Sequence, residues 1–197
     1  MKILAIDLGK YKSVACNYVT ATGTARFATV VTFHHPVYSA KKSRDNPQIR
    51  GWWKPAFDKH RVDLVLNGHD HSYARTGFDV PNTLSPKDTV GTINESAGVM
   101  AQSTKGGTVY VVSVSGPKMY EVDREPYMKR AGQGIQLYQI IHVDGDSLRY
   151  EARTATGDLY DAFTLAKRSN GKNELFEQAP STRESLPTRQ LDSATRP

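Results

Sequence analysis

Apolar residues along this chain come in short runs that stop abruptly at polar ones. KILAI at 2–6 ends at Asp7, and VTF at 31–33 ends at His34-His35. VDLVLN at 62–67 runs into Gly68-His69-Asp70-His71, and TVYVVSV at 108–114 closes at Ser115-Gly116-Pro117. Runs this short and this rich in branched residues read as buried strands. Residues 13–19 and 25–33 give two further strands, with Thr22-Gly23-Thr24 as the turn between them. Residues 39–50 are a polar loop. Asn46-Pro47 has the form of a helix cap followed by a first helical position. Ile49, Trp52, Trp53 and Phe57 continue at helical spacings, and Pro55 predicts a kink or a restart. Residues 76–106 lack periodicity and read as a long loop. From Ile135 a meander follows: IQLYQIIHV, a turn at Asp144-Gly145, SLRYEART, a turn around Gly157-Asp158, then LYDAFTLAK. The pattern predicts an α/β fold that is β-rich, with few helices. Residues 168–197 lose their aromatics almost entirely and are expected to be a disordered tail.

Composition narrows the picture. With 197 residues, 38% hydrophobic and 23% charged, the chain has material for one ordinary domain and a tail. Cys16 is the single cysteine, which excludes an internal disulfide. No run reaches membrane length, and the apolar stretch before Asp7 is too short for a signal-peptide core. The expected location is the cytoplasm. The net charge is +6, and residues 41–61 hold seven cations against two anions. That segment lies between the two histidine clusters. It reads either as a solvated face or as a positive rim that draws in a phosphorylated substrate. Nucleic-acid binding lacks any supporting module.

Four of the six histidines, His34, His35, His69 and His71, stand at the ends of two apolar runs. A strand end fixes an imidazole on rigid backbone at the rim of a sheet, which suits a metal ligand. His-x-His on extended backbone shares one face, but a turn at this point splays the two rings toward different places. Gly68 offers room for close backbone approach. The same spacing also fits ordinary histidine pairs, so it does not decide alone.

The motifs go further. GHDHSYAR preceded by VDLVLN resembles the last signature block of the calcineurin-like metallophosphoesterases, in their purple-acid-phosphatase-like branch. VTFHHPVYS resembles the preceding block of that family. WWKPAFDKH, TVYVVSVSGPKMY and LYDAFTLAK fit the same branch, so the likeness spans residues 30–167. It implies part of a four-layer β-sandwich and the hydrolysis of a phosphate ester. By position, it implies that His34 and His69 bind one metal and His71 another. His35, beside the ligand, would support the metal site from outside it or contact the substrate phosphate, and is the candidate catalytic residue. Tyr73 and Arg75 would support the strand-end turn. The metal would be iron, zinc or manganese.

The family also uses three earlier blocks: a strand-end Asp followed by His or Gly, a Gly-Asp pair, and Gly-Asn-His. The stretch before His34 holds no Gly-Asp, and Gly-Asn-His occurs nowhere in the chain. Three neutral imidazoles do not offset the charge of two ions, so at most one metal per chain is expected. Residues 1–29 instead resemble the opening hairpin of DEDD-type ribonuclease-H-like transposases, with Asp7 as the matching carboxylate. Two other readings of Asp7 remain open. IDLG also resembles the first phosphatase block, which would make Asp7 a metal ligand, and a strand-end Asp commonly caps a turn. The expected function is thus a metallophosphoesterase by descent, truncated and of low or no activity. The alternatives are a non-catalytic metal-binding remnant and a transposase-fusion fragment. Missing neighbour strands would leave a sheet edge open to self-association.

Overall fold

The computed structural model describes residues 14–17, 29–78, 80, 102–103, 107–168, 173–178 and 180–187, with 14–17 and 102–103 as backbone alone. Two sheets and one long helix make up the fold. The first sheet contains β1 (Val14–Asn17), β2 (Thr29–Phe33), β3 (Leu64–Asn67), β4 (Tyr73–Thr76), β6 (Val109–Val112) and β7 (Met128–Gly132). Its order is β1-β2-β3-β6-β4-β7. The central strands β2, β3 and β6 run parallel, and the flanking pairings are antiparallel. The second sheet is antiparallel, in the order β5-β11-β10-β9-β8. It contains β5 (Gln102–Ser103), β8 (Leu137–Asp144), β9 (Ser147–Thr154), β10 (Leu159–Lys167) and β11 (Asn173–Gln178).

Strand periodicity decides how the layers stack. Leu64, Tyr73, Val109 and Val111 of the first sheet meet Leu137, Leu148, Tyr150, Phe163, Leu165 and Leu175 of the second. The opposite face of the first sheet, with Val65, Ala74 and Tyr110, packs on Phe57 of α1 (Pro47–His60) and on Val37, Tyr38 and Ala40. Three layers result: helix, mixed sheet, antiparallel sheet. A helical layer outside the second sheet is not among the described residues.

The helix begins as the sequence predicts. Asn46 Oδ1 accepts from Ile49 N at 3.0 Å, and Pro47 follows at a position that needs no donor. Pro55 does not break α1. The bond it forgoes would reach the Gly51 carbonyl, and Gly51 is exposed, so water can serve that oxygen. The hairpin turn between β8 and β9 is Gly145-Asp146, one residue later than expected, because Asp144 pairs with Ser147 and Gly145 takes a positive φ of 52°.

Three elements depart from the sequence reading. β4 and β7 are strands that the weak alternation of YART and MKRAG did not announce. Residues 173–178, placed above in a disordered tail, form β11 on β10, where Leu175 is 2% exposed and Asn173 is buried. Residues 180–187 also pack: Glu184 accepts from Ala131 N at 2.7 Å, and Gln133 N donates to the Ser185 carbonyl at 2.8 Å. One buried leucine and paired backbone suffice to order a segment of low hydrophobicity. Residues 1–13, Asp7 included, and 18–28 lie outside the described residues.

Candidate metal centre

The parallel strands β2, β3 and β6 end side by side, and the histidines follow those ends. Phe33 pairs with Asn67 as the last rung between β2 and β3. Asn67 buckles the rung: its Nδ2 donates to the Phe33 carbonyl at 2.9 Å, and Gly68 N donates to the His34 carbonyl at 3.1 Å. Ser113 N donates to the Asn67 carbonyl at 3.0 Å, which brings the loop after β6 alongside. A β-carbon on Gly68 would meet nothing closer than 3.8 Å, so the close approach suggested for this glycine is absent.

His69 and His71 both take left-handed backbone, with φ of 73° and 52°, and so diverge. His69 turns to β2, where its Nδ1 lies 3.2 Å from His34 Nε2. His34, His35 and His69 pack ring to ring, with centroids 4.3–5.1 Å apart. His71 goes the other way. Its Nδ1 donates to the Lys118 carbonyl at 2.9 Å and its ring lies against Tyr120. That bond leaves His71 Nε2 with its lone pair. An open groove of about 320 Å³ is lined by His69, His71 and residues 113–118.

Five side chains that the sequence reading did not single out shape the site. Asp70, between the two histidines, points inward and is fully buried. Its Oδ2 accepts from Ser39 Oγ and Ala40 N, each at 2.7 Å, which ties the loop after β2 to the loop after β3. Burial pushes its carboxyl above the usual range, against those two bonds. Arg44 belongs to the basic segment noted above, and it alone is seen to enter the cluster. Its Nη2 donates to His69 Nε2 at 3.0 Å, and its guanidinium stacks on Tyr120. Lys118 also lies over Tyr120. Other members of the basic segment are paired elsewhere: Arg50 with Asp45, Lys54 with Asp58, Lys42 with Glu125. The alternation in HDHS could have flagged Asp70, since a residue between two rim histidines faces the core.

The site disfavours positive charge. Burial, then Arg44, lowers His69 to a pKa of about 4, and burial, then His35, lowers His34. His34 and His69 are therefore neutral near pH 7, the form a metal requires. Two nitrogens bound to one tetrahedral ion at about 2.0–2.1 Å stand about 3.3 Å apart. The His34–His69 separation fits that spacing. Among the described residues no group of three His, Cys, Asp or Glu side chains is arranged to hold an ion. The donors present thus fit part of one metal site and do not fit a bridged pair.

Tyr73 and Arg75 make their side-chain contacts away from the histidines. Both side chains reach the second sheet, where Asp161 accepts from Tyr73 Oη at 2.7 Å and from Arg75 Nε at 2.6 Å and Nη2 at 3.1 Å. All three are buried. They fix β4, which starts at the end of the GHDH turn, to β10.

No protein-family model and no curated protein matches the chain. Among solved structures, it is similar to a purple acid phosphatase, PPD1, from seeds of yellow lupin (Lupinus luteus). Identity is 20% and the TM-score 0.47, over 72% of this chain and 25% of that one. It is also similar to GAP50, the anchor in the inner membrane complex of Plasmodium. There identity is 9% and the TM-score 0.42, over 95% of this chain and 61% of that one. The chain thus spans only part of either protein, about a quarter of the lupin enzyme. Both likenesses are distant and say nothing of the chemistry. No helix among the described residues is long and apolar enough to cross a membrane.

Proposed function

We propose that this chain carries the later ligand blocks of a purple-acid-phosphatase-like metallophosphoesterase. Its strand-end histidines hold at most one transition-metal ion, and by itself it hydrolyses phosphate esters weakly or not at all. The observation that carries this reading is the meeting of two sequence blocks at one point. HHP and GHDH lie 35 residues apart, yet His69 Nδ1 and His34 Nε2 stand 3.2 Å apart at the ends of neighbouring parallel strands. His34 and His69 would hold the ion, which would be iron, zinc or manganese. Such an ion supplies Lewis acidity and lowers the pKa of bound water. His71 keeps a free nitrogen beside the groove, and His35 is exposed next to the pair, where it could meet a phosphate. Arg44 and Lys118 make the rim positive, which favours a phosphorylated ligand.

The low activity follows from what the described residues lack. Among the described residues no carboxylate faces the histidines, since Asp70 is turned inward and its Oδ2 is bound to the loop after β2. The test is hydrolysis of an aryl phosphate with iron, zinc or manganese added, for the wild type and a His34→Ala, His69→Ala double variant. Negligible turnover in both is expected. Robust metal-dependent turnover in the wild type, lost in the variant, would show a complete site and refute this account.

A further inference from the structure

We infer that Arg44 competes with a metal ion for His69, so that the site takes an ion only when Arg44 moves off the ring. The inference rests on the metal reading above, but its argument uses donor and acceptor polarity alone. An arginine guanidinium has only donors and does not lose its proton in proteins. Its Nη2, 3.0 Å from His69 Nε2, therefore makes that nitrogen an acceptor. A neutral imidazole then carries its hydrogen on Nδ1, which donates to His34 Nε2 at 3.2 Å. The polarity runs one way: Arg44 to His69 to His34.

An ion between His69 and His34 needs the opposite arrangement at His69. It would bind the Nδ1 lone pair, which moves the hydrogen to Nε2. There it would face the Arg44 N–H, donor against donor. Arg44 and the ion are therefore alternatives, and a resident cation also repels a second one.

Two features show that Arg44 is placed rather than wandering. The turn Lys42–Arg44 is pinned, with Arg44 N donating to the Lys41 carbonyl at 2.9 Å and Lys42 N to Asp123 Oδ2 at 2.9 Å. A second perch also lies within reach. Asp70 Oδ1 is buried without a hydrogen-bond partner, 3.8 Å from Arg44 Nε. A small shift of the guanidinium would satisfy that oxygen and release His69. Buried acceptors rarely stay unpaired, so the orphaned oxygen marks where Arg44 goes.

The test has two parts. Zinc titration calorimetry on chelator-stripped protein compares the wild type with Arg44→Met, which keeps the side-chain length and removes the donors. The variant should bind zinc about 10-fold or more tightly, the scale on which outer partners of a metal ligand act. The gain should vanish when His69→Ala is added. Nitrogen-15 NMR of the metal-free wild type, which needs no variant to fold, should find His69 protonated at Nδ1 and bare at Nε2. A hydrogen on Nε2, equal zinc affinities, or a gain that survives His69→Ala would each overturn the role of Arg44. Absence of zinc binding by every protein would instead refute the metal reading, and the competition with it.

Discussion

Asp161 is a residue whose surroundings decide its value. It is 1% exposed and takes three hydrogen bonds from Tyr73 and Arg75 across the sheet interface. Removing its cation strands a buried charge, which typically costs about 3–5 kcal/mol. Arg75→Met should therefore lower the urea midpoint markedly, since that loss is a large share of the about 5–15 kcal/mol typical of a domain. A loss near that of a surface ion pair would show that Asp161 is not committed to Arg75. Titration at the histidines gives a second expectation. His69 drops from its ordinary 6.5 to about 4 by burial and then by Arg44, and His34 shifts in the same direction. A base with a depressed folded pKa takes up a proton on unfolding, so acid favours the unfolded chain. With a chelator present, stability should fall as pH drops from about 6.5 toward 4. A flat profile across that window would contradict the lowered pKa of His69. At this scale the sequence announced the histidines and left their neighbours unannounced. Asp70 lies inside the GHDH block without being singled out, Arg44 carries no motif, and both matter because the loops after β2 and β3 meet in space.

The elements were legible where one face alone is buried or where a cap is local. Asn46-Pro47 announced α1, and Asn46→Ala should cost about 1 kcal/mol, since Ile49 N loses its acceptor. Thermal denaturation would read it, and no change would mean that the helix start is held by packing alone. IQLYQIIHV and LYDAFTLAK announced β8 and β10, while TVYVVSV announced β6 as a continuous apolar run buried on both faces. β4, β7 and β11 were missed because partners supply their order. YART is held by the strands beside it and by Asp161, and MKRAG by β4 and by residues 182–185. The segment 173–178 has one deeply buried leucine, a signal too weak to stand out from a charged tail. It nonetheless covers the long edge of β10, from Ala162 to Lys167. Truncation after Arg168 should therefore expose that edge and lower both solubility and the unfolding midpoint. An unchanged midpoint would return residues 173–187 to the status of a tail.

For the molecule as a whole, two sequence blocks far apart in the chain become one site because β2 and β3 are parallel neighbours. That much the motif resemblance anticipated, together with a β-rich α/β fold. The polarity of the site was not legible, because it depends on Arg44 arriving from a turn that sequence alone reads as solvated loop. Self-association remains a proposal for this chain: β8, eight residues long, pairs only with β9 among the described strands. Sedimentation at rising concentration should show reversible association, and a single species throughout would dismiss it. The central claim is an incomplete metal site built on His34 and His69, and metal content tests it most directly. Elemental analysis of the chain after saturation with zinc and removal of free metal should find no more than one weakly held ion per chain. The His34→Ala, His69→Ala double variant should hold none. Two tightly held ions per chain, or an ion that persists in the double variant, would contradict the account.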